Sequence, residues 1–236
     1  MADKIVVAFD LYGTLLSTES IAKKLETFVG PKAEAISALW RRYQLEYTWR
    51  LNSMGCWENF TNVTQNSLRH ALAEHGEQLS AGDEASLMEA YNNLSTFPDV
   101  QVALNRVAAN SAIFPVIFSN GDNKAIGISV RDSEGLAEHS SIFHRVISAE
   151  DIKRYKPSPE TYKHLADTVG KQPSQMNQMW LISGNPFDII GARNSGMNAI
   201  WVDRANKGWQ DRAVPDLQPT AIVHSLEQIV EEINRA

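Results

Sequence analysis

Short, uninterrupted apolar segments recur along the chain, and they constrain its fold more than any other feature of the sequence. The first, residues 5–9, is rich in β-branched side chains and contains no polar residue. Such a segment is typical of a strand that is covered on both faces, as the strands of parallel sheets are. We predict further strands at residues 113–118, 179–182, 199–202 and 221–223.

Helical patterns separate these predicted strands. They cover residues 100–110, 123–136, 159–169 and 189–195. A capping box, Ser225-Leu226-Glu227-Gln228, predicts a last helix that extends toward Arg235. Strands that alternate with helices indicate a parallel sheet. The sequence therefore predicts an α/β fold with a Rossmann-like, doubly wound parallel sheet as its core.

One long stretch breaks this alternation. Between residues 17 and 96 we find helical spacing but no candidate strand. The spacing indicates one helix over residues 35–52, a second from Trp57 to Leu72, and a third after Ser80. An insertion of this kind after the first strand predicts an inserted helical cap subdomain. We place the cap at residues 17–96 and the catalytic core at residues 1–16 and 97–236.

Composition and charge exclude some classes of function. The net charge of −6 at pH 7 argues against a nucleic-acid surface, which needs an excess of clustered lysine and arginine. The single cysteine, Cys56, excludes an intramolecular disulfide bond and favours a reducing compartment. The apolar segment near the N-terminus is too short for a signal sequence or a membrane span. We expect a cytoplasmic protein that binds neither nucleic acid nor a membrane.

Polar side chains lie where an open α/β sheet binds its ligands. Such sheets bind ligands at the carboxyl ends of their strands. The segments to inspect are residues 10–14, 119–121, 155–157 and 183–188. They supply carboxylates, hydroxyl groups, an amide and a lysine, which is the set that a catalytic crevice needs.

The order of these motifs resembles that of the haloacid dehalogenase superfamily. The motifs are Asp10-Leu11-Tyr12-Gly13-Thr14-Leu15, Phe118-Ser119-Asn120-Gly121, Tyr155-Lys156-Pro157 and residues 183–188. The first motif and the helix Trp-Arg-Arg-Tyr-Gln-Leu-Glu-Tyr-Thr-Trp at residues 40–49 resemble the L-2-haloacid dehalogenases (type II). The resemblance spans nearly the whole chain. It implies a hydrolase that converts small L-2-haloacids into D-2-hydroxy acids through an aspartyl ester.

Asp10 is the nucleophile that the resemblance implies. A carboxylate at the end of a strand can attack carbon or phosphorus and form an ester that water then cleaves. Phosphatases of the superfamily have a second aspartate at the position of Tyr12, and a tyrosine cannot supply the acid that protonates a leaving alkoxide. Halide leaves without a proton, so Tyr12 favours dehalogenation.

The last motif indicates an enzyme without a metal or another cofactor. Phosphatase relatives usually have two carboxylates here, whereas Ser183 and Asn185 are neutral and Asp188 is the only acid. Mg²⁺ prefers hard, charged oxygen ligands. The six histidines show no metal-ligand spacing.

The resemblance also assigns roles around Asp10. Arg41 and the Asn120 amide would receive the departing halide. Ser119 and Lys156 would bind the substrate carboxylate, with Thr14 as a third member of this anion-handling set.

Further residues would act on water or shape the pocket. Ser183, Asn185 and Asp188 would position the hydrolytic water, with Asp188 as its base or as the group that orients Lys156. Tyr162 matches the family's tyrosine near the lysine, or it packs as a core residue. The residues expected to line the substrate side chain are Leu11, Tyr12, Leu45, Phe60 and Phe187. Phe187 departs from the family's usual tryptophan.

Two other functions stay open from the sequence. One is a Mg²⁺-dependent small-molecule phosphatase of the same fold, and the other is a non-catalytic relative that binds a ligand. The expected partners of the dehalogenase are a small 2-haloacid, water and the halide product. A homodimer is the family's tendency, and the apolar face formed by Trp40, Tyr43 and Tyr47 would either allow it or cover the core.

Overall fold

Six parallel strands, counted among residues 4–235, form the centre of the molecule. The computed structural model describes these residues, apart from the side chain of Glu19. The strands are β1 (Ile5–Phe9), β2 (Ile113–Ser119), β3 (Val146–Ser148), β4 (Met179–Ser183), β5 (Asn198–Val202) and β6 (Ala221–Val223). They lie in the order β3-β2-β1-β4-β5-β6, and every neighbouring pair is parallel. The strand order therefore reverses beside β1, as in a doubly wound sheet.

Helices connect these strands, and local signals explain where several of them begin. They are α1 (Ile21–Val29), α2 (Ala33–Met54), α3 (Phe60–Glu74), α4 (Ala81–Tyr91), α5 (Val100–Ala109), α6 (Asn123–Asp132), α7 (Pro159–Thr168), α8 (Pro186–Asn194) and α9 (Ile229–Arg235). Asn59, Ser80 and Asp122 each accept a hydrogen bond from the backbone N–H group three residues later, so their side chains cap α3, α4 and α6. The helices α7 and α8 begin with proline, which needs no hydrogen-bond partner at that position.

Both faces of the sheet are covered. In β1, Val7 and Phe9 belong to one apolar cluster, whereas Val6 and Ala8 belong to another. Side chains alternate between the two faces along a strand. The first cluster continues into α5, α6 and α9, and the second continues into α7 and α8. This arrangement confirms the predicted doubly wound α/β sheet.

Four helices, α1 to α4, lie between β1 and α5. Among the described residues of this stretch there is no strand, only two isolated bridges, which pair Leu16 with Tyr12 and with Thr96. Beside the second of these bridges, the backbone N–H of Phe97 donates to the carbonyl oxygen of Leu15 at 3.1 Å. The chain thus leaves the sheet and returns to it at one place. We propose on this ground that residues 17–96 form the cap subdomain.

Several predicted helix boundaries are wrong, including the start of the helix predicted from residue 189, which begins at Pro186. The helix predicted over residues 123–136 ends at Asp132, and a 3-10 helix, Ala137–Ile142, follows it. The helix expected to begin near Trp57 begins at Phe60, because Asn59 provides the N-cap. None of the helices given above combines the length and the apolar character that a membrane span requires.

Other elements carried too weak a signal for prediction. The strand β3 has only three residues, and its first side chain is exposed. The helix α1 was not separated from the rest of the cap. The predicted capping box is present at Ser225, but it caps a 3-10 helix, Leu226–Gln228, that leads into α9.

Candidate active site

The strand ends next to the reversal of the sheet order bring a cluster of polar groups together. Asp10 follows β1 directly, and its backbone N–H donates to the carbonyl oxygen of Ile182 in β4. Ser119 and Ser183 end the two neighbouring strands, β2 and β4. Open parallel sheets bind ligands at this point. The topology therefore brings together the strand ends at which the sequence predicts a ligand site.

The two carboxylate oxygens of Asp10 have different surroundings. Oδ2 accepts hydrogen bonds from Thr14 Oγ1 at 2.8 Å, from Ser183 Oγ at 3.2 Å and from Asn185 Nδ2 at 2.7 Å. Within the described residues, Oδ1 accepts only from Lys156 Nζ, at 2.9 Å. Three donors saturate the lone pairs of Oδ2. Oδ1 keeps a free lone pair and is the oxygen available for attack.

Lys156 lies between two carboxylates and is 1% exposed. Its ammonium group donates to Asp10 Oδ1, to Asp188 Oδ2 at 2.6 Å and to the carbonyl oxygen of Phe118 at 3.0 Å. Burial lowers the pKa of Lys156, but the two carboxylates outweigh burial and raise the pKa above its usual value. All three donors of the ammonium are engaged. This geometry differs from the expected bond between Lys156 and a substrate carboxylate.

Asp188 and Tyr162 form the back of the cluster. Asp188 is completely buried, and its Oδ1 atom accepts a hydrogen bond from the Tyr162 hydroxyl at 2.7 Å. Burial raises the pKa of Asp188 to about 6, although Lys156 acts against this rise. Tyr162 also packs edge-on against Phe118 in the core. It therefore meets both alternatives that the sequence left open, because it is a core residue that also holds Asp188.

Arg41 extends from α2 toward the strand ends. Its Nη2 group donates to Asn185 Oδ1 at 3.2 Å and to the carbonyl oxygen of Tyr12 at 3.4 Å. Asn185 uses its other amide atom to contact Asp10, so a single amide separates Arg41 from Asp10. The adjacent Arg42 is exposed. Of the two neighbouring arginines, Arg41 is the one that faces the cluster.

Ser119 and Asn120 lie beside the cluster but bind the backbone. Ser119 Oγ accepts from the N–H of Gly121 at 3.1 Å, and Asn120 Oδ1 accepts from the N–H of Lys156 at 2.8 Å. In the part of the chain that the structure describes, neither side chain bonds to Asp10. Both residues are buried. Their observed contacts hold the two loops that carry Lys156 and Gly121.

The predicted pocket residues divide into core and rim. Leu11, Tyr12 and Phe60 are buried, and the rings of Tyr12 and Phe60 stack at 5.6 Å. Burial raises the pKa of Tyr12, so its phenol cannot act as an acid near neutral pH. Leu45 and Phe187 are only half-buried, and Phe187 contacts the ring of Trp49. These two residues are the ones that a bound molecule can still reach.

The residues present do not fit a Mg²⁺ site. The ammonium of Lys156 occupies the position between Asp10 and Asp188 that a bridging cation would need. Among residues 4–235, no group of three His, Cys, Asp or Glu side chains is arranged to hold a metal. Mg²⁺ needs several hard oxygen ligands in octahedral geometry. We derive no catalytic step through a metal.

Sequence reasoning missed Gln44, which contacts the site through Arg41. The Arg41 Nη1 group donates to Gln44 Oε1 at 2.6 Å, and Gln44 in turn contacts Tyr91 and Thr64. The available signal was a polar side chain three residues after Arg41, on the face of α2 that carries the buried residues. Periodicity alone would assign that position to the core.

Comparison with known proteins places this geometry in a family. The family model for haloacid dehalogenase-like hydrolases matches residues 6–196. The chain is 33% identical over 196 residues to (S)-2-haloacid dehalogenase 4A of Burkholderia cepacia, covering 83% of this chain and 81% of the relative. It is 32% identical to (S)-2-haloacid dehalogenase 1 of Pseudomonas sp. (strain CBS-3), covering 94% of each chain.

Solved structures agree with the sequence relatives. The fold superposes on an L-2-haloacid dehalogenase with a TM-score of 0.88, at 30% identity and over 98% of this chain and 99% of the other. It also matches the L-2-haloacid dehalogenase of Xanthobacter autotrophicus with chloropropionic acid covalently bound, with a TM-score of 0.85, 25% identity and 98% coverage of both chains. Since the family model covers most of the chain and both relatives exceed 30% identity over more than two thirds of this chain, the chain belongs to the haloacid dehalogenase-like hydrolase family.

Proposed function

We propose that this protein is an (S)-2-haloacid dehalogenase that hydrolyses small L-2-haloacids to D-2-hydroxy acids, with Asp10 as the nucleophile. The observation that carries the proposal is the uneven environment of the Asp10 carboxylate. Among the described residues, one oxygen has three neutral donors, and the other has only Lys156. This arrangement suits an aspartyl ester, because the two oxygens of an ester have different tasks.

In the first step, Oδ1 of Asp10 attacks the 2-carbon of the substrate, and the carbon–halogen bond breaks. The halide leaves with the bonding electron pair, and no proton moves. Lys156 places its positive charge 2.9 Å from Asp10 Oδ1 and holds that oxygen in position. Attack from the side opposite the halide inverts the carbon, which turns an L-haloacid into the ester of a D-hydroxy acid.

In the second step, water attacks the ester carbon of Asp10. The carbonyl oxygen of that ester is Oδ2, which gains negative charge as the tetrahedral intermediate forms. Thr14, Ser183 and Asn185 already donate to Oδ2 and would stabilise this charge as an oxyanion hole. The ester bond breaks at the carbonyl carbon, so the product hydroxyl keeps the original Oδ1 atom. Asp188, with its raised pKa, is the base that we assign to the first proton released by water, and the second proton of that water passes to Oδ1 as the ester bond breaks, so that the product leaves with a hydroxyl group.

Charge placement supports roles for the remaining groups. Arg41 brings a guanidinium within one amide of Asp10, where charge on a leaving halide would develop. Asn120 would share the halide, and Ser119 would bind the substrate carboxylate. Because the three donors of Lys156 are already engaged, we assign Lys156 to the charge balance of Asp10 and Asp188 and not to the substrate carboxylate.

The substrate class comes from the relatives. The curated relatives are named (S)-2-haloacid dehalogenases, and one matched structure holds chloropropionic acid covalently bound. The half-buried Leu45 and Phe187 leave a small apolar rim, which suits a short side chain on the 2-carbon.

Halide release from the two enantiomers of 2-chloropropionate tests the proposal. We expect release from the (S) form and none from the (R) form, at the same rate with and without a chelator. A phosphate ester assayed in parallel tests the phosphatase alternative. Phosphate release that depends on Mg²⁺, with no halide release, would overturn the proposed function. Absence of both activities would favour the ligand-binding alternative.

Cytoplasmic location and a homodimer remain proposals. The apolar face on which a dimer was expected is partly covered within the chain, because Trp40 is buried and Tyr43 stacks on His70 of α3 at 3.9 Å. A dimer would therefore need a further surface. Sedimentation of the purified protein measures the oligomeric state directly.

A further inference from the structure

Gln44 is a buried amide that links α2 to α3 and α4 and also contacts Arg41. It lies on α2, one turn after Arg41, and is 1% exposed. Its Oε1 atom accepts from Arg41 Nη1 at 2.6 Å, and its Nε2 atom donates to Thr64 Oγ1 at 2.6 Å and to Tyr91 Oη at 2.9 Å. Burying an amide costs free energy that a similarly shaped apolar side chain would not. We therefore expect that the hydrogen bonds of the Gln44 amide are needed at this position.

The network fixes which end of the amide faces Arg41. The Thr64 hydroxyl donates its only proton to the carbonyl oxygen of Phe60 at 2.7 Å. Its oxygen can therefore only accept from Gln44, which must turn Nε2 toward Thr64. Oε1 then lies on the other side of the amide, where it accepts from Arg41 Nη1 at 2.6 Å and from the Tyr91 hydroxyl at 3.2 Å. The orientation of the amide thus follows from the hydrogen-bond network and presents an acceptor to the guanidinium.

The bond from Gln44 is the shortest that the described residues make with the Arg41 guanidinium. The other two, to Asn185 Oδ1 and to the carbonyl oxygen of Tyr12, are 3.2 and 3.4 Å long. A flexible arginine stem needs such a restraint, because it loses several rotatable bonds of freedom when it is fixed. The guanidinium is planar, so holding one Nη group sets the direction of the other.

We propose that Gln44 is a positioning residue that orients Arg41 toward the departing halide, and that Thr64 and Tyr91 fix Gln44 in turn. This proposal rests on the proposed function, since it gives Arg41 a halide to meet. If the guanidinium is aimed at a leaving anion, loss of its restraint weakens transition-state stabilisation. Chloride is a poorer leaving group than bromide and depends more on that stabilisation. The loss is therefore larger for chloro than for bromo substrates.

The test compares Gln44→Met, which keeps length and removes the amide, with Tyr91→Phe and a matched control. The control is Thr48→Val, since Thr48 is equally buried on the same helix but donates only to the carbonyl oxygen of Leu45. We measure kcat and KM for 2-chloro- and 2-bromopropionate. Gln44→Met should lower kcat for the chloro substrate about tenfold, less than the ~10²-fold loss typical of removing a donor itself. The bromo substrate should lose less, KM should change little, and Tyr91→Phe should give a smaller effect in the same direction.

Equal losses on both substrates, a change confined to KM, or the same pattern in Thr48→Val would overturn the proposal. A second readout does not depend on turnover: bromide binding to the wild-type protein and to both variants, measured by calorimetry. Weaker bromide binding in Gln44→Met and Tyr91→Phe, but not in Thr48→Val, supports the proposal even if no haloacid is hydrolysed. That combination would reject the proposed function alone. Unchanged bromide affinity in Gln44→Met would reject the role of Gln44.

Discussion

Two charged groups face each other across the candidate site, and the molecule holds them by different means. Asp10 lies at a strand end, is buried, and is fixed by Lys156 and three neutral donors. Arg41 lies on the helical insertion, is half-buried, and is held by neutral amide and carbonyl oxygens. The sheet thus fixes the attacking group, whereas the insertion supplies the group that would receive the halide. We expect changes at Asp10 and Lys156 to affect chemistry and stability together, and changes at Arg41 to affect chemistry alone.

The largest effect is expected from Asp10→Asn. The amide cannot form the ester, so halide release should fall below detection. The variant should still fold, with a lower free energy of unfolding because Lys156 loses one of its two carboxylate partners. The matched control is Asp203→Asn, because Asp203 is also a buried aspartate after a strand, but it binds the backbone N–H groups of Lys207 and Gly208 away from the site. Halide release per folded molecule should survive in the control. Halide release by Asp10→Asn at the wild-type rate would show that Asp10 is not the nucleophile.

Lys156→Met should damage both activity and stability. It leaves Asp10 and Asp188 buried without their cation, and breaking a buried pair in this way typically costs about 3–5 kcal/mol. Urea unfolding at pH 7 and pH 5 measures the loss, which should shrink at the lower pH because Asp188, whose pKa burial raises to about 6, can then be protonated. Lys171→Met is the control, since Lys171 is also buried but donates to the neutral side chain of Gln178. Equal losses in the two variants would contradict the charge-balance role.

Arg41→Ala should lower kcat for 2-chloropropionate on the order of 10²-fold. Its free energy of unfolding should stay nearly unchanged, because the group is half-buried and bonded to neutral oxygens. Arg42→Ala, one residue along the same helix, is exposed and should leave kcat within about twofold. Similar kcat values for the two variants would show that the halide is received elsewhere. A large loss of stability in Arg41→Ala would contradict the expectation that, unlike Asp10 and Lys156, Arg41 affects chemistry alone.

The smallest effect is expected from Tyr162→Phe, which should shift the pH dependence of kcat/KM. Burial raises the pKa of Asp188 to about 6, so the carboxylate is ionised only above that value, and kcat/KM should fall as the pH drops through about 6. The Tyr162 hydroxyl donates to Asp188 and acts against this rise. Tyr162→Phe should therefore move the acid limb to higher pH. If the acid limb does not move, Asp188 is not the group whose ionisation sets it.

The sequence predicted the sheet better than it predicted the insertion's contacts. The long apolar strands have both faces buried, and their pattern is visible without any partner. In contrast, β3 has too few residues to show a hydrophobic pattern in the sequence. It is recognised as a strand only because it pairs with β2. The helix α1 has only nine residues and two buried side chains, too few to distinguish it from the rest of the insertion.

The candidate site shows the same division. Asp10, Thr14 and Ser183 were predictable because they lie within a few residues of a strand end. Gln44 was not, because its partners Tyr91 and Thr64 lie on two other helices and meet it only after packing. The expected bond of Lys156 to a substrate carboxylate also could not be tested from sequence. Spacing shows that a lysine reaches the site, but not that its three donors are already engaged.

The central claim is that Oδ1 of Asp10 becomes the ester oxygen and then leaves in the product. A single turnover of (S)-2-chloropropionate in ¹⁸O-water, with enzyme in excess, tests this claim most directly. Mass spectrometry of the peptide that contains Asp10 should then show one heavy oxygen, and the hydroxy acid should show none, because water attacks the ester carbon of Asp10. Heavy oxygen in the hydroxy acid and none in the peptide would mean that water attacks the substrate carbon, and would contradict the account.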